Sequence, residues 1–444
     1  MQSALTNRRL RSRPGQDVWP GSGSGMSMVV DLYELTMAQA YFLEQKNGTA
    51  SFEILVRSLP PHWGFFVMAG LTELESYLSG FSFSTDDIAS LRETGLFDDR
   101  FLTFLYQGKP RISVRCMPEG SVFFPGEPIA EFHGPVIDMQ ILETYVLNIL
   151  GFSILQATLA ARFELASRGK PVLDFGLRKA QGPVASIRSA RGAQIAGFAG
   201  TSNVKASQLL DFKPSGTMAH SFVQAHETEE QAFEAFARVF RDQSVFLVDT
   251  YDSREGIRTA AQVAKRLLDR EKVHIKGIRL DSGNLAGLAG MAREHFDTEG
   301  LGFLKVFASG GLDEYLVADL VEQGAPIDGF GVGTSFAVSS HAPALDITYK
   351  PVEYDGRPTR KTSPGKETVS GRKSIERIQH EGIFVEDHVV SLGHPADLLV
   401  PFAGGERIDT VHTRLNRNLA GLAAACKRIK SPSPYPVIYD SGRQ

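Results

Sequence analysis

Side chains able to do chemistry follow several apolar runs in the second half of the chain. The run Val172–Asp174 leads into Phe175 and then Arg178, so an aromatic ring and a cation stand just past a predicted buried strand. Such a cluster can bind an anion against an aromatic wall. It can equally be a glycine-relieved turn with a solvated arginine, and these residues alone leave both interpretations open.

Two acidic clusters follow other apolar runs. Asp249 and Asp281 each come directly after one, and carboxylate oxygens at such positions suit Mg²⁺ or ribose hydroxyls. The alternative is that an aspartate caps the next helix. Capping is the stronger interpretation for Asp252 and the weaker one for Asp281, where Ser282 or Asn284 could serve as the cap instead. We therefore predict Asp249 and Asp281 as metal ligands.

A histidine lies among glycine and hydroxyl residues in Gly216-Thr217-Met218-Ala219-His220-Ser221. An isolated histidine is more often a satisfied core or surface residue than a catalytic one, but this setting favours a functional role for His220. The nearby His226-Glu227 pair is not a zinc signature, because no second histidine follows at the required spacing.

Two glycine loops close the set. Ser309-Gly310-Gly311 directly precedes a helix predicted to begin near Leu312, which would place free N–H groups and the positive end of the helix dipole at a phosphate. The second loop contains Gly331 and Gly333. A dinucleotide fingerprint is the alternative, but its third glycine is misplaced and no strand–glycine–helix unit opens the chain. We predict two phosphate loops.

The elements that must position these residues form a repeating pattern beyond Pro171. Apolar runs alternate with amphipathic helices, which is typical of successive βα units in a parallel sheet or barrel. Polar residues at the carboxyl ends of such strands are where barrels keep their chemistry. The predicted strands are Val172–Leu177, Val245–Thr250, Ile275–Leu280, Leu304–Ala308 and Ile327–Val332.

The rest of the chain divides by composition and periodicity. Residues 1–27, arginine-rich and ending in Gly-Ser repeats, are predicted to be a disordered leader, and residues 28–135 an α+β domain with antiparallel strands. Two packed helices, separated near Gly151, link it over residues 136–170 to the barrel at 171–350. A C-terminal segment covers 351–444, and part of it joins the first domain.

Composition excludes several classes of protein. The 444 residues suffice for two or three domains, and 47 Lys and Arg against 51 Asp and Glu give a net charge of −4. No basic excess points to nucleic acid or an anionic membrane. The two cysteines make neither a disulfide scaffold nor a thiolate zinc site. The most apolar stretch, Val146–Leu155, is interrupted by polar residues and glycine and is too short to span a membrane. We expect a cytoplasmic protein.

The ordered set of motifs resembles the nicotinate phosphoribosyltransferase family over nearly the whole chain from about Met28. Each motif is weak alone, whereas the set in this order is highly specific. The motifs are Asp31-Leu32-Tyr33-Glu34-Leu35-Thr36-Met37, Asp174-Phe175-Gly176 with Arg178, Gly200-Thr201-Ser202-Asn203, Gly216 to Ser221, Arg279 to Gly283, and Lys361-Thr362-Ser363-Pro364-Gly365-Lys366.

The resemblance implies an irregular α/β barrel of the type II phosphoribosyltransferase fold with a separate N-terminal sheet domain. It implies transfer of phosphoribose from phosphoribosyl pyrophosphate to nicotinate, the first step of NAD synthesis from nicotinate, with Mg²⁺ and coupled ATP hydrolysis. It also implies a transient phosphohistidine, by motif position His220, and a homodimer whose active sites use both chains.

The resemblance and the chemistry together assign roles to the site residues. Asp281 would stabilise ribose and the positive charge that develops on it. Arg279 would pair with the nicotinate carboxylate, and Phe175 with Tyr33 of the partner chain would sandwich its ring. Phosphates would lie on Arg178, Ser309, Gly310, Gly311, Gly331 and Gly333, and Lys361 would make an anion contact across the dimer.

This sequence departs from the family pattern in places. Lys179 stands where a second arginine is usual, which puts a bidentate phosphate clamp there in doubt. Val30 replaces the usual threonine before Asp31, a change that we expect to be minor.

Three alternatives stay open. Nicotinamide phosphoribosyltransferase has an acid where Ser202 stands, and an acid would repel a carboxylate, so Ser202 favours nicotinate. A phosphate-sugar aldolase or isomerase needs a Schiff-base lysine or a glutamate base at a strand end, and the candidate lysines, Lys276 and Lys305, lie near strand starts. A non-catalytic metabolite sensor would lose the pyrophosphate loops, which are intact.

Overall fold

The computed structural model describes residues 26–363 and 369–440. Residues 1–25 of the predicted leader and Pro364 to Lys366 of the predicted anion loop therefore lie outside the described residues. The last two leader positions belong to the fold, because Met26–Met28 form a 3-10 turn and Ser27 is buried. The Ser27 hydroxyl donates to the Ser82 carbonyl over 2.8 Å.

The first part of the chain is an α+β unit, as predicted. Phe52, Ile54 and Val56 alternate along a strand that pairs antiparallel with the strand containing Phe132, and all four side chains are buried. The elements are α1 (Leu32–Leu43), β1 (Thr49–Val56), β2 (Phe66–Val67), α2 (Leu71–Gly80), α3 (Thr85–Glu93), α4 (Asp99–Gln107), β3 (Ser113–Cys116), β4 (Val122–Phe123) and β5 (Pro128–Pro135).

The link to the barrel differs from the prediction of two helices separated near Gly151. A short helix α5 (Val136–Gln140) is followed by one long helix, α6 (Glu143–Ser167), which continues through Gly151. A Cβ at Gly151 would lie 3.3 Å from Cγ2 of Ile347, so this glycine permits close packing rather than a break.

Helix α6 is long and apolar enough to cross a membrane by length and composition, with a mean hydropathy of 1.4 in its most apolar window. The expectation that the apolar stretch is too short came from counting residues 146–155 alone. However, 83% of that window is buried inside the protein, so α6 is packed as a core helix.

The second half of the chain forms the predicted βα units. Each predicted strand is present, although most are shorter than the apolar run that predicted them. The elements are β6 (Val172–Asp174), α7 (Pro183–Ala196), β7 (Gly200–Thr201), α8 (Val204–Leu210), α9 (His220–Gln224), α10 (Glu229–Phe240), β8 (Val245–Leu247), α11 (Ser253–Glu271), β9 (Gly277–Leu280), α12 (Leu285–Thr298), β10 (Lys305–Ser309), α13 (Glu314–Glu322), β11 (Gly329–Val332) and α14 (Thr334–Ala337).

The parallel strands make a curled six-stranded sheet in the order β7-β6-β11-β10-β9-β8. Pairing of β6 with β11 joins the first and last strands, as in a closed barrel. The edges β7 and β8 do not pair, so the barrel has a gap on that side. The chain between these strands, which contains α8, α9 and α10, lies at the gap, and the fold is the irregular barrel that was predicted.

The C-terminal part returns to the first domain. Its strand β12 (Ile347–Tyr354) pairs antiparallel with β1, and a second pairing extends the same sheet beyond β3. The remaining elements are β13 (Arg357–Pro358), β14 (Lys373–His380), β15 (Ile383–Ser391), β16 (Val400–Pro401), α15 (Ile408–Gly421) and β17 (Val437–Tyr439). The division into domains at the predicted boundaries stays a prediction.

Candidate active site

The predicted strand-end residues meet at the carboxyl edge of the barrel sheet around Arg279, on β9. Its Nη1 donates to Asp281 Oδ1 and to Ser309 Oγ, each over 3.3 Å, and its Nη2 donates to the Met218 carbonyl over 2.9 Å. Its Nε is buried and has no partner among the described residues. Burial lowers the pKa of Arg279, and the proximity of Arg178 lowers it further. A guanidinium in this position favours a further anion.

The two predicted metal ligands are neighbours. The Asp281 N–H donates to Asp249 Oδ2 over 2.9 Å, and the Ser282 hydroxyl donates to the same oxygen over 2.6 Å. The other oxygen of Asp249, Oδ1, is buried without a partner among the described residues. An unpaired carboxylate oxygen beside a second carboxylate fits Mg²⁺, which needs one or two protein carboxylates when phosphate oxygens complete its shell. The described residues contain no cluster of three or more side chains able to hold a metal by themselves.

The capping alternatives resolve differently for the two acidic clusters. Asp252 caps α11, because its carboxylate accepts from the backbone N–H groups of Arg254 and Glu255. Asn284 caps α12, accepting from Gly287 N–H. Asp281 is thereby left for the site, as the sequence indicated.

His220 is the first residue of α9 and lies beside Asp281 and Thr250. Its Nδ1 is 3.2 Å from Thr250 Oγ1, and its Nε2 is 3.9 Å from Asp281 Oδ2. The side chain is 43% exposed, so Nε2 can be reached by a substrate. When Nδ1 carries the proton and donates to Thr250, Nε2 keeps a free electron pair.

Phe175 is presented by a turn that Asp174 stabilises. Asp174 accepts from the Gly176 N–H over 2.8 Å and from the Thr201 hydroxyl over 2.7 Å, and its burial raises the pKa of its carboxyl group. A Cβ at Gly331 would lie 2.5 Å from Cε2 of Phe175, so the ring needs glycine at this position. The structure thus gives Gly331 a role beneath the aromatic ring, while its predicted phosphate contact stays a prediction.

The loop after β10 departs from the expected helix-end phosphate site. Helix α13 begins at Glu314 rather than near Leu312, and Asp313 caps it by accepting from the Leu316 N–H over 2.8 Å. A carboxylate therefore already occupies the positive end of this helix. Gly310 and Gly311 have positive φ angles of 80° and 65°, and their N–H groups donate to no acceptor among the described residues. These amides are the donors that remain for a phosphate.

A cavity of about 790 Å³ lies inside the barrel and reaches this cluster. Of the predicted site residues, Phe175, Arg279 and Gly331 line it. Gly333 follows β11 at the same edge, where a Cβ would be in ordinary contact with the Phe175 carbonyl. Arg178 is exposed on the 3-10 turn Leu177–Lys179.

Ser202, Tyr33 and Lys361 are among the predicted residues that do not line this cavity. Ser202 follows β7 and donates its N–H to the Asp174 carbonyl over 2.8 Å, but does not line the cavity. Tyr33 is 47% exposed on α1, where burial and the neighbouring Glu143 raise the pKa of its hydroxyl. Lys361 is exposed beyond β13. Neither Tyr33 nor Lys361 lines the cavity of its own chain.

The structure adds a residue that sequence reasoning missed. Glu229, in the first turn of α10, has a buried Oε1 without a partner among the described residues. Burial, followed by the charges of Asp249 and Asp252, raises its pKa to about 7. An acid in the first turn of a helix has an ordinary explanation in the helix dipole, so the sequence carried no signal that Glu229 lies near the site.

The fold and site define an α/β-barrel enzyme whose candidate active site lies at the carboxyl ends of its strands. The family model for the nicotinate phosphoribosyltransferase (NAPRTase) N-terminal domain matches residues 28–151. The model for the nicotinate phosphoribosyltransferase (NAPRTase) family matches residues 171–381. The chain therefore belongs to the nicotinate phosphoribosyltransferase family, as the motifs predicted.

Individual relatives support the same family assignment. Nicotinate phosphoribosyltransferase pncB2 of Mycobacterium tuberculosis is 45% identical over 386 residues, covering 86% of this chain and 83% of that protein. Nicotinate phosphoribosyltransferase of Bacillus subtilis is 40% identical over 361 residues, covering 80% and 73%. The crystal structure of human nicotinic acid phosphoribosyltransferase is similar with a TM-score of 0.81 at 25% identity, covering 93% of this chain and 97% of that one.

Proposed function

We propose that this protein transfers the phosphoribosyl group of phosphoribosyl pyrophosphate to nicotinate, forming nicotinate mononucleotide and pyrophosphate with coupled ATP hydrolysis. The observation that carries the proposal is Arg279, a guanidinium only 14% exposed with an unpartnered Nε, in one cavity with the Phe175 ring. A planar aromatic carboxylate satisfies both groups, because it can stack on the ring and accept a charge-assisted hydrogen bond from the free Nε, whereas an uncharged carboxamide can offer Arg279 only a neutral acceptor.

The proposed reaction needs no general base. The bond from ribose C1 to the pyrophosphate oxygen breaks, and the ring nitrogen of nicotinate, which carries no proton, forms the new bond to C1. Positive charge develops on the ribose meanwhile, and the Asp281 carboxylate would stabilise it. Asp249 and Asp281 would hold Mg²⁺, which would neutralise charge on the leaving pyrophosphate. The amides of Gly310 and Gly311 would bind phosphate oxygens.

His220 supports the proposed coupling to ATP. Its Nε2 would attack the γ-phosphorus of ATP, so that a P–N bond forms, the bond to the β-phosphate oxygen breaks and ADP leaves. The phosphate would add about −1.5 to −2 charge beside the site, if it resembles a hydroxyl-linked phosphate, and would change anion affinity there. His220→Ala should abolish nicotinate-dependent ATP hydrolysis and leave slow, ATP-independent nucleotide formation. Acid-labile protein phosphate together with ATP stimulation in this variant would contradict the role.

A shared site in a homodimer is part of the proposal. Tyr33 and Lys361 do not line their own cavity, and Tyr33 lies on α1 with other exposed apolar side chains, Leu32 and Met37. An exposed apolar helix face suits an interface between copies. Mixing inactive Tyr33→Ala and His220→Ala subunits should restore activity, because one site of a mixed dimer then carries neither lesion. Background activity after verified subunit exchange would mean that each chain builds its own site.

We also propose that the reaction takes place in the cytoplasm. Cys116 and Cys426 are both buried and unpaired, the state that a reducing compartment maintains.

The decisive experiment is a product assay with phosphoribosyl pyrophosphate and Mg²⁺. It compares nicotinate, nicotinamide and quinolinate, each with and without ATP. We expect nucleotide from nicotinate, with a kcat/KM more than tenfold above that for nicotinamide, because the uncharged carboxamide cannot replace the charged hydrogen bond between a carboxylate and Arg279, worth about 1.5–3 kcal/mol. Equal rates with nicotinate and nicotinamide would contradict the proposed function.

A further inference from the structure

The barrel cavity does not end at the candidate active site. It is lined by the residue just before, or at the start of, strands at the opposite edge of the sheet, among them Pro171, Ala199, Lys276, Lys305 and Asp328. The same cavity reaches Phe175, Arg279 and Gly331 near the carboxyl ends. Since β9 is four residues long, roughly 10 Å of strand separates Lys276 from Arg279. The cavity therefore extends from the base pocket to the amino edge of the sheet, where the lining residues Lys276 and Lys305 are exposed, and we call this end the amino-edge mouth.

This amino-edge mouth is cationic. Lys213, Lys276 and Lys305 line it, together with one acid, Asp328. Lys305 is paired with Asp328, Nζ to Oδ1 over 3.1 Å. Lys213 and Lys276 have no carboxylate within 4.0 Å in the part of the chain that the structure describes. Two uncompensated ammonium groups thus face a path that leads to a buried guanidinium.

The walls beside these lysines are aromatic. Phe236 and Phe240 of α10 and Phe307 of β10 line the cavity, and Lys276 Nζ lies 5.5 Å from the centre of the Phe307 ring. Phe240 is 51% exposed. Aromatic faces next to cations suit a flat ring that bears a negative charge, because the ring stacks while the carboxylate pairs.

The carboxyl edge is of mixed charge, because the exposed Arg178 lies there beside a group of acids. Asp249, Asp281 and Glu229 cluster there with glycine amides, an arrangement for Mg²⁺ and phosphates, and acids repel an approaching carboxylate. A phosphoribosyl substrate bound at that edge would also obstruct the path to Phe175. The amino edge offers the aromatic acid an approach of favourable charge that stays open.

We propose that the amino-edge mouth is the entrance for the aromatic carboxylate substrate, and that Lys213 and Lys276 recruit it electrostatically. The inference rests on the proposed function, since it assigns a route to its substrate. A consequence is that the aromatic acid can bind and leave while the phosphoribosyl substrate occupies the other edge.

The test compares the full-length protein with the variant Lys213→Gln/Lys276→Gln. At low ionic strength we expect kcat/KM for nicotinate to fall about tenfold, and its decline with added NaCl to flatten, because steering between charges is screened by salt. The KM for phosphoribosyl pyrophosphate, measured at saturating nicotinate, should change less than twofold. A charge-matched control, Lys109→Gln/Lys205→Gln, removes two exposed lysines outside the cavity and should keep the wild-type salt dependence.

A second variant tests the route without changing charge. Gln243 lines the amino-edge mouth just before β8, and Gln243→Trp should slow nicotinate association at any salt concentration by narrowing the passage. The inference is overturned if both variants keep wild-type kcat/KM for nicotinate, or if kcat/KM for both substrates falls equally. A wild-type protein that forms no nucleotide from nicotinate would instead overturn the proposed function.

Discussion

Two buried charge networks of this molecule differ in how completely they are paired. Beside the sheet of the first domain, Lys373 of β14 donates all three ammonium protons, to Glu53 Oε2 and to the carbonyls of Val369 and Gly371, over 2.7 to 2.9 Å. At the barrel edge, Arg279 Nε and Asp249 Oδ1 are equally buried and have no partner among the described residues. A saturated network holds elements together, whereas an unsaturated one keeps bonding capacity for a ligand.

The fully paired network around Lys373, here called the sheet network, holds two buried carboxylates in place. Glu53 on β1 stands directly opposite Glu131 on β5, so two carboxylates face each other inside the protein. Lys373 neutralises the first, while Arg372 and Arg115 bind the second. The C-terminal strand β14 and its flanking residue thereby supply two of the three cations that pair with these carboxylates, and Arg115 of the first domain supplies the third.

The largest expected effect comes from the unsaturated network. Asp281→Asn removes the charge that would stabilise the ribose cation, and we expect nucleotide formation to fall about 10²–10³-fold. Steady-state kinetics measures the fall, and thermal melting should show a Tm within about 3 °C of wild type. If Asp281→Asn unfolds the protein, this network is as structural as that of the sheet.

The next effect concerns the saturated network. Lys373→Met leaves Glu53 buried without a counter-charge opposite Glu131, and we expect a loss of about 3–5 kcal/mol in the free energy of unfolding. Denaturant titration measures it, and kcat per folded molecule should be unchanged. The double variant Glu53→Gln/Lys373→Met is the matched control and should recover most of the loss. Equal destabilisation in both variants would show that packing, not charge, is responsible.

A smaller effect tests the aromatic wall beside Arg279. Phe175→Ala should raise KM for nicotinate about tenfold through lost stacking and burial. Gly331→Ala leaves Phe175 in the sequence but places a methyl group against its ring, and should raise the same KM. An unchanged KM in both variants would remove Phe175 from the base pocket.

The smallest expected effect is on the pH dependence of stability, and it comes from a third buried group without a partner, Glu164. Glu164 on α6 also has a buried Oε1 without a partner among the described residues, and burial raises its pKa to about 8. Its contribution to stability is complete below the unfolded pKa near 4.5 and is lost as pH rises through about 8. Melting curves from pH 5 to 9 should show Glu164→Gln gaining a few degrees on wild type at the alkaline end. Parallel curves would show that Glu164 ionises normally.

The barrel could be predicted because the sequence patterns of its strands and helices are local. Each strand is an apolar run ending in a polar residue, as Ile278 and Leu280 precede Asp281, and each helix has its own periodicity. The motifs around Arg279 and His220 follow strands or loops of this kind, so the sequence was enough to name residues that meet at this edge. Their contacts could not be predicted, because the Met218 carbonyl that binds Arg279 comes from the chain at the barrel gap.

Longer-range features were not predicted. Strand β14 reads KSIERIQH, whose charged residues suggest an exposed segment, yet Lys373 is buried because it pairs with Glu53 of a different sheet. Helix α6 continues through Gly151 because the close approach of Ile347 leaves room for only a small residue there. The burial of Lys373 and the continuation of α6 each depend on a partner roughly 200 or more residues away in the sequence. Local helix and strand propensities contain no information about such a partner.

The gap between β7 and β8 has a consequence for the order in which the chain folds. Strands β8, β9 and β10 each pair with the next strand in sequence, so this part of the sheet can grow from short βα units. The pairing of β6 with β11 joins Asp174 to Val332, from opposite ends of the barrel sequence, and must close a long loop. We therefore expect the turn carrying Phe175 to dock last, so that refolding protein regains its helical signal before it regains affinity for the aromatic acid.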